Sequence, residues 1–281
     1  MDYSMEINGV VKSYPGSSFI LDNIHMQIPY GKIIGLIGEN GAGKTTLIQL
    51  ILNQISADSG NIKIFGMNHR KMEKDIKSKI GFVMDECCFH TCLSAKEVGK
   101  ILKYIYLQWN NKDFEVYLSR FEIDQEKRIT ELSKGMKNKL MLATALAHNP
   151  DILILDEITS GLDPVVRDDI LNILKDFIAT QKKSVFFSTH ITSDLDKAAD
   201  IIAFIHKGKL VFMEEKEKIK NTFRIYSCSN EKTDNIKNSE ICAKYYENGQ
   251  WHFLLKNSKS EIIGKEPTLD EIMLLFIKGG R

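Results

Sequence analysis

The chain has 281 residues, 43% hydrophobic and 27% charged, with a formal net charge of +1. That composition supports a buried core in one large domain, or one domain with an appendage, and gives no global field that would call for nucleic acid or an anionic membrane. MDYSMEINGV lacks the apolar run of a signal peptide, and no run of about 18 apolar residues offers a bilayer span. Five cysteines without an export signal fit free thiols in a reducing compartment, so the expected location is cytoplasmic.

In chain order, residues 3–11 and 18–28 alternate apolar and polar positions and read as strands. Between them Lys12-Ser13-Tyr14-Pro15-Gly16 is a turn tipped by an aromatic. Tyr14 is open to two readings, simple packing or stacking on a nucleobase. Residues 33–46, IIGLIGENGAGKTT, run from an apolar strand into a glycine loop and then a helix over 45–52. Gly38, Gly43, Lys44 and Thr45 stand at the fixed places of G-x-x-x-x-G-K-[ST]. Glycines let successive N–H groups turn inward around an anion, and the helix N-terminus adds its partial positive charge. Lys44 can reach the β- and γ-phosphates, and the Thr45 hydroxyl can ligate Mg²⁺.

Asp58-Ser59-Gly60-Asn61 reads as a break, 61–66 as a short strand with its turn, 67–79 as a small helix and 80–84 as a short strand ending on Asp85-Glu86. CCFHTC at 87–92 invites a metal reading. Adjacent cysteines face one ion poorly, and no second cluster completes a site, so free thiols are the expectation. Ser94 and Glu97 form a capping box for a helix through about Gln108, with Val98, Ile101, Leu102, Ile105 and Tyr106 on one face. A second helix is expected over 111–122, making this stretch an inserted helical subdomain.

Leu132-Ser133-Lys134-Gly135-Met136 precedes a helix over 137–148 that stops at Asn149-Pro150. Asp151-Ile152-Leu153-Ile154-Leu155-Asp156-Glu157 is a strand buried on both faces with two acids at its carboxyl end, where open α/β sheets keep their ligands. Beside a phosphate loop, Asp156 fits a ligand of Mg²⁺ or its water, and Glu157 a general base. Asp163 and Pro164 start a helix to about Ala179, with Val166, Ile170, Leu171, Leu174, Phe177 and Ile178 as its apolar face. Residues 184–188 form another buried strand that delivers Thr189-His190 to the same edge. His190 is either structural or a sensor of the γ-phosphate. A short helix from Ser193 and a hairpin through Lys207-Gly208 follow. From about 215 the character changes to strand-like pieces at 223–228 and 251–255, polar linkers, and an apolar helix capped by Thr268 and Glu271.

Together these motifs, over about residues 1–213, resemble the ATP-binding-cassette (ABC) ATPase family. GENGAGKTT resembles its Walker A loop, LSKGM its signature LSGGQ, ILILDE its Walker B strand, SGLDP its D-loop and STH its switch histidine. The tail EPTLDEIMLLFIKG is similar to that of ATPases serving drug, bacteriocin or lantibiotic exporters. The resemblance implies an α/β fold: a P-loop NTPase core with a mixed central sheet, an antiparallel β subdomain, an inserted helical subdomain at about 86–148 and a small C-terminal α+β appendage. It implies an ABC ATPase domain at 1–213 and an appendage at 214–281. It also implies ATP and Mg²⁺, with nucleotide contacts from Tyr14, Gly38, Asn40, Gly41, Ala42, Gly43, Lys44, Thr45, Thr46, Ser133, Gly135 and Asp163. The metal would lie on Thr45, Asp85 and Asp156, and the chemistry on Glu157 and His190.

Three departures stand out. Asp85 falls where the family has its Q-loop glutamine; it is one methylene shorter and adds negative charge, yet can still ligate the ion. Lys134 and Met136 replace Gly and Gln of the signature; Lys134 either faces solvent or adds charge near the opposite phosphate. Ile158 stands where proline is usual. The family mechanism implies two such subunits packed head to tail, as a homodimer or heterodimer, on an integral membrane permease. The subunit would then lie peripherally on the inner face of the cell membrane, with no nucleic acid partner. Three functions compete: the energising subunit of an exporter with separate permease chains, a soluble ABC protein acting on nucleic acid or ribosomes, and a nucleotide switch or regulatory ATPase not tied to transport. No second cassette or basic extension supports the second, and Glu157 with His190 speaks against the third.

Overall fold

The computed structural model describes residues 3–179, 182–229, 239–256 and 264–279, in two units, Met1–Val211 and Phe212–Arg281. In the first unit, the alternating residues of β1 (Tyr3–Ser13) and β2 (Ile20–Pro29) pair antiparallel and bury Met5, Ile7, Val10, Leu21, Ile24 and Ile28 on one face. The apolar strand β3 (Ile33–Ile37) leads into α1 (Lys44–Ile51). Then β4 (Ser59–Ile64) and β5 (Met67–Asn68) complete a four-stranded antiparallel sheet in the order β2-β1-β4-β5. Here the structure corrects the expected break at 58–61, because β4 already begins at Ser59. Gly60 makes this possible: its φ is +84°, and a Cβ there would lie 2.3 Å from the Gly9 carbonyl oxygen of β1.

After α2 (Glu73–Lys77) and β6 (Ile80–Val83) come the helices α3 (Ala95–Ile105) and α4 (Asn111–Arg120). The capping box of α3 is formed: Ser94 Oγ accepts from Glu97 N, and Ser94 N donates to Glu97 Oε2 at 2.8 Å. The helix ends at Ile105, three residues before the expected Gln108. Tyr106 is extended there and its ring stacks on His148 at 4.1 Å. The expected apolar face is buried only at its start. Gly99 lets Phe114 of α4 come so close that a Cβ would lie 2.6 Å from its ring, whereas Ile101 and Ile105 are exposed.

Helix α5 (Lys134–Leu146) begins three residues earlier than expected, because Ser133 Oγ caps it by accepting from Met136 N. It is followed by β7 (Ile152–Leu155), α6 (Pro164–Ile178), β8 (Ser184–Thr189), α7 (Thr192–Ala198), β9 (Ile201–His206) and β10 (Lys209–Glu215). On the core face of α6, Ile170, Leu171, Ile173, Leu174 and Phe177 are buried, while Val166 and Ile178 lie at its margins. The second sheet has the order β10-β9-β3-β8-β7-β6, with β9, β3, β8, β7 and β6 parallel. β10 folds back from β9 through the two-residue turn Lys207-Gly208, so the sheet is mixed. Every residue of β3, β7 and β8 is buried.

In the second unit, α8 (Lys216–Thr222) precedes β11 (Phe223–Cys228), β12 (Ile241–Glu247) and β13 (Gln250–Lys256), an antiparallel sheet in the order β11-β13-β12. Strand β12 was not anticipated. It turns into β13 through Asn248-Gly249, both at positive φ, a two-residue turn that the Asn-Gly pair favours. Helix α9 (Leu269–Gly279), with its Thr268–Glu271 capping box formed, packs against β12 and β13 and buries Ile272 and Leu275 within its own unit, while Leu274 and Ile277 stay exposed. The polar linkers expected between the strand pieces fall mostly at 230–238 and 257–263, outside the described residues.

Substituting Ser94→Ala removes the N-cap acceptor of α3 and should cost about 1 kcal/mol. The thermal midpoint should fall by roughly 2–4 °C, read by circular dichroism.

Candidate functional site

The register of three buried parallel strands sets the site. Ile37 of β3 pairs with Thr189 of β8, and Leu155 of β7 with Phe187 of β8. The residues that follow, Gly38 onward, Asp156-Glu157 and His190, therefore leave the sheet side by side at one edge. They border a cavity of about 550 Å³ lined by Phe19, Asn40, Gly41, Gly43, Lys44, Thr45, Thr46, Asp85, Glu157, Ser160 and His190.

The loop is shaped by close approach. A Cβ on Gly38 would lie 2.4 Å from the Ile205 carbonyl oxygen, and Gly43, the N-cap of α1, has φ 109°. Ala42 is buried, and its carbonyl accepts from Gly208 N, which ties the loop to the β9–β10 turn. The loop closes around Lys44, whose buried ammonium donates to Gly38 O at 2.8 Å and Glu39 O at 3.2 Å and lies 3.4 Å from Glu157 Oε1. A buried ammonium held by carbonyls that could yield to phosphate oxygens makes this a cradle for a polyanion.

Asp156 lies 2% exposed beneath the cavity floor. Its Oδ1 accepts from Ser188 Oγ at 2.5 Å, and Thr45 also hydrogen-bonds it. Burial pushes its carboxyl above the ordinary carboxylate value, and the two hydroxyl hydrogen bonds oppose that shift. A buried carboxylate beside a hydroxyl is a hard-oxygen pair suited to Mg²⁺, so these residues fit that ion. Glu157 has a left-handed backbone, φ 49°, and its N–H donates to Ser188 Oγ. Its Oε2 lies 2.7 Å from His190 Nδ1. Ser188 thus holds both acids, a role the sequence reading missed; the signal was a hydroxyl inside an otherwise apolar buried strand.

Nine of the anticipated residues line the cavity: Asn40, Gly41, Gly43, Lys44, Thr45, Thr46, Asp85, Glu157 and His190. Gly38, Ala42 and Asp156 support it without lining it. Tyr14 lies outside the wall, on its turn, with the Lys12 ammonium 5.3 Å from its ring; Phe19 is the aromatic that reaches the wall. Ser133, Gly135 and Asp163 line a second cavity of about 430 Å³ instead, together with Lys134. Ser133 and Asp163 are also the N-caps of α5 and α6. Lys134 does not simply face solvent: its ammonium is 3.3 Å from Asp85 Oδ1, so the two departures from the family pattern meet as an ion pair. Cys87, Cys88 and Cys92 are free thiols.

The sequence profile described as ABC transporter matches residues 21–160. The bacitracin transport ATP-binding protein BcrA of Enterococcus faecalis is 33% identical over 213 residues, 75% of this chain and 69% of that protein. The lantibiotic transport ATP-binding protein SrtF of Streptococcus pyogenes is 32% identical over 225 residues, 79% of this chain and 96% of that protein. Among solved structures, an ATP-binding subunit of an ABC transporter shares the fold with a TM-score of 0.71 at 23% identity, over 77% of this chain and 92% of that one. An ATP-binding cassette in a dimeric post-hydrolysis state bound to ADP and Pi shares it with a TM-score of 0.68 at 24% identity, over 75% and 98%.

The raised carboxyl of Asp156 makes a stability prediction whose sign is fixed. Above its raised pKa the buried charge opposes folding, and that cost vanishes as the pH falls through it. Asp156→Asn keeps an acceptor for Ser188 and removes the charge. Without metal, its thermal midpoint at neutral pH should exceed that of the wild type. The gap should close on acidification, and added Mg²⁺ should stabilise the wild type but not the variant.

Proposed function

The chain belongs to the ABC transporter family as an ATP-binding, ATP-hydrolysing subunit, and we propose that it energises an exporter whose permease is a separate chain. Among the described residues no helix is long and apolar enough to cross a membrane. Subunits of this family dimerise and pair with membrane permeases. The observation that carries our reading is the convergence of Lys44, Asp156, Glu157 and His190 at one sheet edge, with Lys44, Glu157 and His190 lining the cavity there.

In this reading the loop N–H groups and Lys44 bind the triphosphate, and Thr45 and Asp156, with Asp85 at the cavity wall, hold Mg²⁺. The bound ion supplies positive charge against the β- and γ-phosphates. Glu157 takes a proton from the attacking water, and His190 keeps the carboxylate oriented through its 2.7 Å contact. Tyr14, exposed and backed by Lys12, stacks on the base. Ser133, Gly135 and Asp163 line a different cavity from Lys44, which supports a head-to-tail dimer in which they meet the partner's nucleotide. The N-terminus of α5 offers its dipole there.

Residues 1–213 form the ATPase domain, with 86–148 as its helical subdomain and 214–281 as an appendage. Ile101, Tyr104 and Ile105 make an exposed apolar stripe on α3 at i, i+3 and i+4, a surface suited to the permease. Docking through that stripe would hold the subunit peripherally on the inner face of the membrane. Relatives named for bacitracin and lantibiotic transport favour a peptide-antibiotic cargo, selected by the permease.

Purification of the tagged chain from detergent-solubilised membranes should bring a stoichiometric multi-span protein; recovery of the chain alone would refute the exporter reading. Glu157→Gln should lower Mg²⁺-dependent ATP turnover by roughly 10²-fold or more while ATP-bound dimer accumulates. Unchanged turnover would remove Glu157 from the chemistry. Tyr14→Ala should raise KM for ATP roughly 2- to 10-fold at little-changed kcat.

A further inference from the structure

Asp194, in the first turn of α7, is completely buried, which is costly for a carboxylate unless its oxygens are partnered. Its partners come from three other segments. Oδ2 accepts from Thr159 Oγ1 at 2.6 Å and from Thr189 Oγ1 at 3.3 Å. Oδ1 faces Arg167 Nε of α6 at 3.8 Å, an ion pair with no hydrogen bond on either atom.

The two threonines are placed beside the reacting pair. Thr159 follows Glu157 by two residues, and Thr189 directly precedes His190. Thr189 Oγ1 also accepts from Ile191 N, so its hydroxyl spans the peptide units that carry His190. On the other side, the Ile158 carbonyl accepts from Asn138 Nδ2 of α5 at 2.7 Å. The segment after Glu157 is therefore tied both to the helix capped by Ser133 and, through Asp194, to the histidine loop. Glu157 itself holds a left-handed backbone, a conformation that persists only where its surroundings enforce it.

We propose that Asp194 is a positioning residue for ATP hydrolysis: by accepting from Thr159 and Thr189 together, it fixes the segments that bear Glu157 and His190 relative to each other. It touches neither nucleotide nor the reacting atoms. The carboxylate suits this role because one oxygen can accept two hydroxyl donors while the other is balanced by Arg167. A hydrophobic residue of similar size would fill the space yet leave both hydroxyl protons without this acceptor and the Arg167 guanidinium without this counter-charge.

The proposal rests on the hydrolytic reading of this cavity, which the wild-type and Glu157→Gln pair, run alongside, tests separately. The experiment measures steady-state ATP turnover, nucleotide affinity and thermal midpoint for Asp194→Ala, Asp194→Asn, Thr159→Val, Thr189→Val and the double variant Thr159→Val/Asp194→Ala, all in the full chain. Asp194→Ala should lower kcat roughly 10- to 100-fold, the scale of a misplaced reacting group, with KM and ATP affinity within about twofold of wild type. Asp194→Asn, which keeps an acceptor oxygen, should recover most of the loss. The double variant should be no slower than Asp194→Ala alone, since both changes break one linkage. If Asp194→Ala does not fold, each threonine variant should still lose kcat several-fold at wild-type KM. The proposal is overturned by wild-type kcat in folded Asp194→Ala or in both threonine variants. Parallel losses of kcat, ATP affinity and thermal stability, additive between Thr159 and Asp194, would also overturn it.

Discussion

The site depends on the side-by-side register of β3, β7 and β8. These strands are buried on both faces, so a slip of one residue would turn every side chain toward the wrong helix layer. With Ile37 opposite Thr189 and Leu155 opposite Phe187, the next residues along β7 and β8 are Asp156 and Ser188. Their 2.5 Å hydrogen bond follows from that register. The same hydroxyl then reaches the Glu157 N–H, so the two acids take different environments although they are neighbours in sequence. One is sunk beneath the floor, where burial raises its pKa; the other turns outward to line the cavity with His190. Reactive geometry here is a by-product of packing apolar strands.

A cluster of buried charge at one sheet edge is tolerable only because each member has partners. Lys44 is held by two loop carbonyls and Glu157, Asp156 by Ser188 and Thr45, and Asp194 by two threonines with Arg167 opposite. Those partners differ in how readily they can be exchanged. Lys44 itself lines an open cavity, so its carbonyl partners compete with any phosphate that enters it. The threonines around Asp194 are buried and have no such competitor. The first arrangement suits a binding residue and the second a fixed support, and the distinction comes from accessibility rather than residue type.

What was legible in the sequence divides along the same line. The strands β3, β7 and β8 could be read because continuous apolar runs ending in polar residues have one sensible placement, and the phosphate loop because its residue types answer a local steric demand. The boundaries that moved did so for tertiary or capping reasons. Tyr106 ends α3 by stacking on a histidine 42 positions away, and Ser133 starts α5 with its own hydroxyl. Strand β12 had a legible signal in Asn248-Gly249 that polar surroundings obscured. Ser188, Thr159 and Asp194 carried no motif. Their meaning lies in contacts between β7, β8, α6 and α7, which no single stretch of sequence displays.

Asp85 and Lys134 show the same limit from another direction. Taken singly, each is an awkward departure: an acid where an amide is usual, and a cation in place of glycine. They are 49 positions apart, yet their charged groups lie 3.3 Å apart, so each supplies what makes the other tolerable. Both are about half exposed, and such a pair contributes little to stability, on the order of 0–1 kcal/mol. Its consequence is one of location. Asp85 lines the cavity of Lys44 and Glu157, and Lys134 lines the cavity of Ser133 and Gly135, so the pair bridges the two cavities within one chain. Neither departure can therefore be assigned an effect without the other.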